Sequence, residues 1–147
     1  IYHNRRPVSK SIEKMLRTKY VSENTLYKKS DVISLHVPYN KDTHHLINSK
    51  IFKKMKETSF LINTSRGKIV NEEQLVTALK KKEIQGAGMD VYESEPIKKD
   101  SLLLKLENVV LAPHVGSSTR ETRQKMSDIT VRNLILALEG KKLLYSV

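Results

Sequence analysis

Four side chains that can hold an anion or move a proton fall just after, or at the close of, apolar runs in this chain: Arg66, Asp90, Glu95 and His114. Arg66 follows Phe60-Leu61-Ile62-Asn63-Thr64-Ser65, and Asp90 closes Ala87-Gly88-Met89. Glu95 lies in the loop Glu93-Ser94-Glu95-Pro96, and His114 follows Val109-Val110-Leu111-Ala112-Pro113. A guanidinium offers paired donors to a carboxylate, an imidazole exchanges a proton near neutral pH, and a carboxylate beside that imidazole raises its pKa. Such a set can bind an anionic substrate and protonate it. Singly, each member has a plainer explanation: a solvated loop arginine, a hydrogen-bonded loop histidine, a turn glutamate before proline, an aspartate ending a strand. The order Arg, Asp, Glu, His at successive strand ends carries the functional reading.

The elements that must position them follow from the pattern. Residues 32–37, 60–63, 87–91 and 109–112 are short, mostly apolar runs without clean alternation, which predicts parallel strands buried on both faces. Helical spacing falls between or around them at 11–19, 51–55, 72–82 and 122–139, with a helical turn at 25–29 and a weak strand at 20–21. Asn71, with Gln74 three residues on, has the form of a capping box. Ile1-Tyr2 running into His3-Asn4-Arg5-Arg6 has the character of a strand's tail. Alternating strands and helices predict an α/β fold with a doubly wound parallel sheet, in which ligands bind beyond the carboxyl ends of the strands.

Composition bounds the rest. With 147 residues and 38% hydrophobic content the chain suits one domain. Lys and Arg number 27 against 16 Asp and Glu, a net charge of +11 that favours a polyanion or a phosphorylated ligand. The absence of cysteine excludes disulfides, thiolate metal sites and a cysteine nucleophile, and suits a cytoplasmic protein. The longest apolar stretch, residues 134–138, is far too short to span a membrane. His44-His45 is a weak metal signal, because adjacent histidines on a strand or helix point apart; no metal is expected.

Three signatures in order carry a family resemblance: Ile62-Asn63-Thr64-Ser65-Arg66-Gly67-Lys68-Ile69-Val70-Asn71-Glu72, Gly88-Met89-Asp90-Val91-Tyr92-Glu93-Ser94-Glu95-Pro96, and Asn108-Val109-Val110-Leu111-Ala112-Pro113-His114-Val115-Gly116-Ser117. Across essentially the whole chain the sequence resembles the D-isomer-specific 2-hydroxyacid dehydrogenases, and within them the glyoxylate/hydroxypyruvate reductase branch. The resemblance implies a Rossmann-type NAD(P)-binding domain that reduces a small 2-oxo acid to a D-2-hydroxy acid. It implies Arg66, Glu95 and His114 as the catalytic residues: Arg66 holds the substrate, His114 protonates the nascent alkoxide, and Glu95 supports the imidazole. It further implies Val37, Pro38, Thr64, Ser65, Asp90 and Gly116 around the cofactor, Ser117 beside Arg66 and His114 at the substrate, and a homodimer. At the strand end that selects the cofactor stand Asn4, Arg5 and Arg6 rather than an acidic residue, which favours NADP(H) over NAD(H).

The chain departs from that family in lacking a G-x-G-x-x-G loop and the strand before it. In the order 3-2-1-4-5-6 the first strand lies between the second and fourth, so a central gap is expected. Residues 1–147 are accordingly expected to be part of a longer polypeptide: a partial nucleotide-binding domain whose last helix leads back toward a substrate domain. Two other functions stay open. A non-catalytic dinucleotide-binding regulator, similar to corepressors of the same family, would keep these motifs. A basic nucleic-acid-binding module suits the pI of about 9.8, but the Lys53, Lys54, Lys56 and Lys80–Lys82 clusters lack interleaved aromatics. The preferred reading assigns a small-molecule partner, with neither nucleic acid nor membrane.

Overall fold

In the computed structural model, which describes residues 1–146, four parallel strands form one sheet in the order β1-β2-β3-β4: β1 (Val32–Leu35), β2 (Phe60–Asn63), β3 (Gly86–Met89) and β4 (Val109–Leu111). Register aligns Leu35 with Asn63, Asn63 with Met89, and Met89 with Leu111, so the carboxyl ends finish level. The helices are α1 (Lys10–Leu16), α2 (Glu23–Lys29), α3 (Ser49–Phe52), α4 (Glu72–Lys80) and α5 (Arg120–Leu138). Each begins on a Ser, Thr or Asn whose side chain accepts an otherwise unpaired amide: Ser9, Ser22, Asn48, Asn71 and Thr119. The chain divides into two compact units, residues 1–113 and 114–147.

The sheet of the first unit has one well-covered face. Ile33, Leu35, Leu61, Ala87 and Met89 share it and join Tyr27, Phe52, Leu75 and Leu79 of the helices in a single core. The other face carries Val32, Phe60 and Val110, which are 58%, 43% and 74% exposed. Burial on both faces therefore holds for β3 alone, where small residues pack close, because helices α2 to α4 contribute their buried residues to one side.

Several boundaries differ from the sequence pattern. The helix expected at 11–19 begins at Lys10, capped by Ser9, and stops at Arg17, whose φ of 51° is left-handed. Strand 32–37 ends at Leu35 and helix 72–82 ends at Lys80. Asn71 does cap α4, its Oδ1 accepting the Gln74 amide at 3.0 Å. The Gln74 side chain, however, accepts the Ser49 amide at 2.6 Å, tying α3 to α4 and leaving the capping box half built.

The expected gap is present. Tyr2 and Tyr20 form an isolated parallel bridge outside the four-stranded sheet. Between that bridge and β1 lies a hollow of about 470 Å³, lined on one side by Ile1, Tyr2, His3 and Asn4 and on the other by Val32 through Val37. Glu13 holds the bridge. Its carboxylate is 7% exposed and accepts the Tyr2 hydroxyl at 3.0 Å, the Tyr20 amide at 3.1 Å and Lys10 Nζ at 2.7 Å.

One close approach fixes the edge where the strands end. A Cβ on Gly67 would lie 1.9 Å from both the carbonyl carbon and the oxygen of Tyr92 and 2.5 Å from the Glu93 nitrogen, so backbone rests directly on backbone. Gly67→Ala is expected to destabilise the domain by on the order of 3 kcal/mol in urea titrations; an unchanged midpoint would refute the contact. The hydrogen bond from Lys10, then that from the Tyr20 amide, holds Glu13 below the usual carboxylate range. Its stabilisation is therefore present above that range and is lost as pH falls through the lowered folded value. In unfolding series between pH 7 and pH 3, Glu13→Gln should lower stability at pH 7 and flatten the acid slope.

Candidate active site at the carboxyl edge of the sheet

Asn63, the last residue of β2, is fully buried and shapes the loop that follows. Its Oδ1 accepts the Ser65 amide at 3.1 Å, and its Nδ2 donates to the Arg66 carbonyl at 3.0 Å, so the turn wraps around one side chain. The Ser65 hydroxyl donates to the Val37 carbonyl, joining this loop to the segment after β1. Arg66 is exposed, and its Nη1 donates to the Ser65 carbonyl at 2.7 Å, which sets the direction of the guanidinium fork. Arg66, Ser65, Val37 and Pro38 together line a hollow of about 500 Å³ with His36 and Tyr39. Thr64 is exposed beside them in the chain.

A second loop leaves the sheet at β3. The Asp90 amide donates to the Asn63 carbonyl at 3.0 Å and the Asp90 side chain is buried. The Tyr92 amide donates to Glu95 Oε1 at 3.2 Å, curling the loop back toward the end of β3. The Tyr92 hydroxyl donates to the Ala112 carbonyl at 2.8 Å and lies 3.2 Å from that of Met89, linking the ends of β3 and β4. Burial first, then the charge of Asp90, pushes this phenol's pKa up, which keeps its proton in place for those bonds. Gly67 packed on Tyr92 thus brings the Arg66 loop and the Glu95 loop together within the first unit.

Near the amino terminus Asn4 shares the 470 Å³ hollow with His36 and Val37, whereas Arg5 and Arg6 are exposed and outside its lining. His36 and Val37 line both hollows. The hollow lined by Val37, Pro38 and Arg66 combines apolar surface that suits a flat ring with a residue that can carry an anion. The residues present in this unit therefore suit a dinucleotide.

His114, Gly116 and Ser117 open the second unit. His114 has a φ of 55°, a left-handed conformation uncommon for a side-chain-bearing residue. The Ser118 amide closes a turn on the Val115 carbonyl at 2.9 Å, carrying Gly116 and Ser117 at its tip, before Thr119 starts α5. Asn63, Tyr92, His36 and Tyr39 were not singled out by sequence. A polar residue ending an apolar strand was the available signal for Asn63; the others depend on tertiary packing.

His44 and His45 do not point apart. Their rings stack with centroids 3.9 Å apart, because they lie in a turn where His45 has a φ of 50° rather than on a strand or helix. Among the described residues no group of three His, Cys, Asp or Glu side chains could hold a metal. No helix among them is long and apolar enough to cross a membrane.

Residues 1–116 match the family model of the D-isomer specific 2-hydroxyacid dehydrogenase NAD binding domain. The chain is 52% identical over 118 residues to a glyoxylate reductase of Thermofilum pendens, covering 80% of this chain and 35% of that protein. It is 45% identical over 141 residues to glyoxylate/hydroxypyruvate reductase B of Escherichia coli, covering 96% and 44%. The crystal structure of an NADPH-dependent glyoxylate/hydroxypyruvate reductase from Sinorhizobium meliloti, in complex with NADP and malonate, superposes with a TM-score of 0.89 at 35% identity, over 99% of this chain and 44% of that one. The chain thus spans less than half the length of these relatives. With three signatures, the parallel sheet and the edge they build in agreement, the chain belongs to the D-isomer specific 2-hydroxyacid dehydrogenases and carries the Rossmann-type fold of their NAD-binding domain.

Proposed function

We propose that the protein containing this chain reduces a small 2-oxo acid, glyoxylate or hydroxypyruvate, to the corresponding 2-hydroxy acid with a nicotinamide cofactor. The observation that supports this reading is the hollow that Arg66 lines together with Val37 and Pro38. Val37, Pro38, Thr64, Ser65, Asp90 and Gly116 are assigned to the cofactor, and Ser117 to the substrate alongside Arg66 and His114. NADP(H) is preferred over NAD(H), since Asn4, Arg5 and Arg6 place two guanidiniums and no carboxylate after the Tyr2 bridge. Residues 1–147 then form a partial nucleotide-binding domain, with the last helix leading toward a substrate domain. A homodimer is proposed on the family resemblance, and a cytoplasmic setting on the cysteine-free composition.

Each residue has a chemical task. The Arg66 fork grips the carboxylate and the carbonyl oxygen of the 2-oxo acid by paired hydrogen bonds and fixes which face is presented. A nicotinamide cofactor held at Val37, Pro38, Thr64 and Ser65 would supply the hydride for the carbonyl carbon. Negative charge then grows on the carbonyl oxygen, next to the guanidinium, where it is stabilised. His114 delivers a proton to that oxygen, and Glu95 supports the protonated imidazole.

Arg66→Lys replaces a planar fork by a point charge and should raise KM for the oxo acid roughly tenfold or more, with cofactor affinity unchanged. His114→Ala should lower kcat by about 10²- to 10⁴-fold. Steady-state NADPH oxidation measures both. Cofactor binding without turnover of either acid would favour the regulator instead.

A further inference from the structure

Behind the Glu95 loop, three segments distant in sequence converge on a second cluster of ionisable side chains. Glu93 Oε1 accepts the Glu72 amide, the first of α4, at 2.9 Å, and Glu72 Oε2 accepts the Glu93 amide at 3.2 Å. The two residues therefore clasp each other through carboxylate and backbone in both directions. The amino end of α4 favours negative charge at this place. Glu72 Oε1 also accepts the Ser101 hydroxyl at 3.4 Å.

His45 completes the cluster. Asn71 Oδ1 is committed to the Gln74 amide, so its Nδ2 donates, and it does so to His45 Nδ1 at 3.2 Å. That bond puts the ring proton on Nε2, which lies 2.9 Å from Glu93 Oε1. The Nε2 thus faces the Glu93 carboxylate without hydrogen-bond alignment, since the buried Nε2 has no hydrogen-bonded partner.

What the clasp holds is the peptide between Tyr92 and Glu93. That peptide presses against Gly67, the residue after Arg66. One peptide earlier, between Val91 and Tyr92, the Tyr92 amide donates to the Glu95 carboxylate. We propose that Glu93, clasped to Glu72, is a positioning residue that sets the Tyr92–Glu93 peptide at the height from which Glu95 and Arg66 are both aimed. It acts through those two side chains and not on the reacting atoms, and this role rests on the reductase reading.

The test uses the whole protein with Glu93→Ala, Glu93→Gln and Glu72→Ala, measuring amide hydrogen exchange at Tyr92, cofactor affinity, and kcat and KM for hydroxypyruvate. Glu93→Ala should speed Tyr92 exchange and lower kcat each by roughly tenfold, about the worth of one lost charge-assisted bond, while cofactor affinity stays unchanged. Glu93→Gln still offers an oxygen to the Glu72 amide and should restore both values. Glu72→Ala should reproduce the exchange defect. The proposal is overturned if Glu93→Ala leaves Tyr92 exchange and kcat as in the wild type, if Glu93→Gln is as damaged as Glu93→Ala, or if exchange rises uniformly through the domain. A wild type without turnover, combined with a local exchange change at Tyr92 that Glu93→Gln reverses, would refute the reductase reading and leave the clasp supported.

Discussion

Backbone lying on backbone at Gly67 and Tyr92 is the contact on which the rest of the edge depends. Parallel pairing of Asn63 with Met89 ends β2 and β3 at the same level, so their outgoing loops must share one small space. Only a residue without Cβ lets them do so. The neighbours of that glycine are then committed. Arg66 is fixed one residue before the contact, and Tyr92 and Glu93 lie beneath it. A constraint made of covalent geometry and van der Waals radii thus decides where a guanidinium and a carboxylate stand.

Around that contact the polar groups of the loops are satisfied locally. Asn63 serves the Ser65 amide and the Arg66 carbonyl from a fully buried position. Tyr92 uses its amide for Glu95 and its hydroxyl for β4. A buried side chain that is fully engaged cannot drift, and the exposed residues Arg66 and Glu95 beside such side chains inherit that order. Rigid support below and exposed chemistry above is the arrangement a dinucleotide and a small acid require at the carboxyl edge of a parallel sheet.

Much of this was legible in the residues themselves. Strand and helix alternation located every strand of the sheet, and strand ends located Arg66, Asp90 and Glu95, because apolar runs and their stops are local signals. The central gap followed from topology and appears as the hollow beside β1. The missed features are non-local. Gln74 abandons its capping box for Ser49, a residue 25 positions away. The stacking of His44 on His45 depends on a left-handed backbone that no pattern announces. The apolar face of Val32, Phe60 and Val110 reads as buried in sequence, yet is open in this chain. Tyr92 was not singled out, and only the fold shows its hydroxyl reaching the Ala112 carbonyl.

The central claim is that this edge directs hydride to one face of a 2-oxo acid. The most direct measurement supplies the whole protein with NADPH deuterated at nicotinamide C4 and hydroxypyruvate, then determines where the label resides and the configuration of the product. The account predicts deuterium at C2 of a 2-hydroxy acid of D configuration. Label that stays on the cofactor when cofactor and acid are both bound, or a product of L configuration, would contradict it.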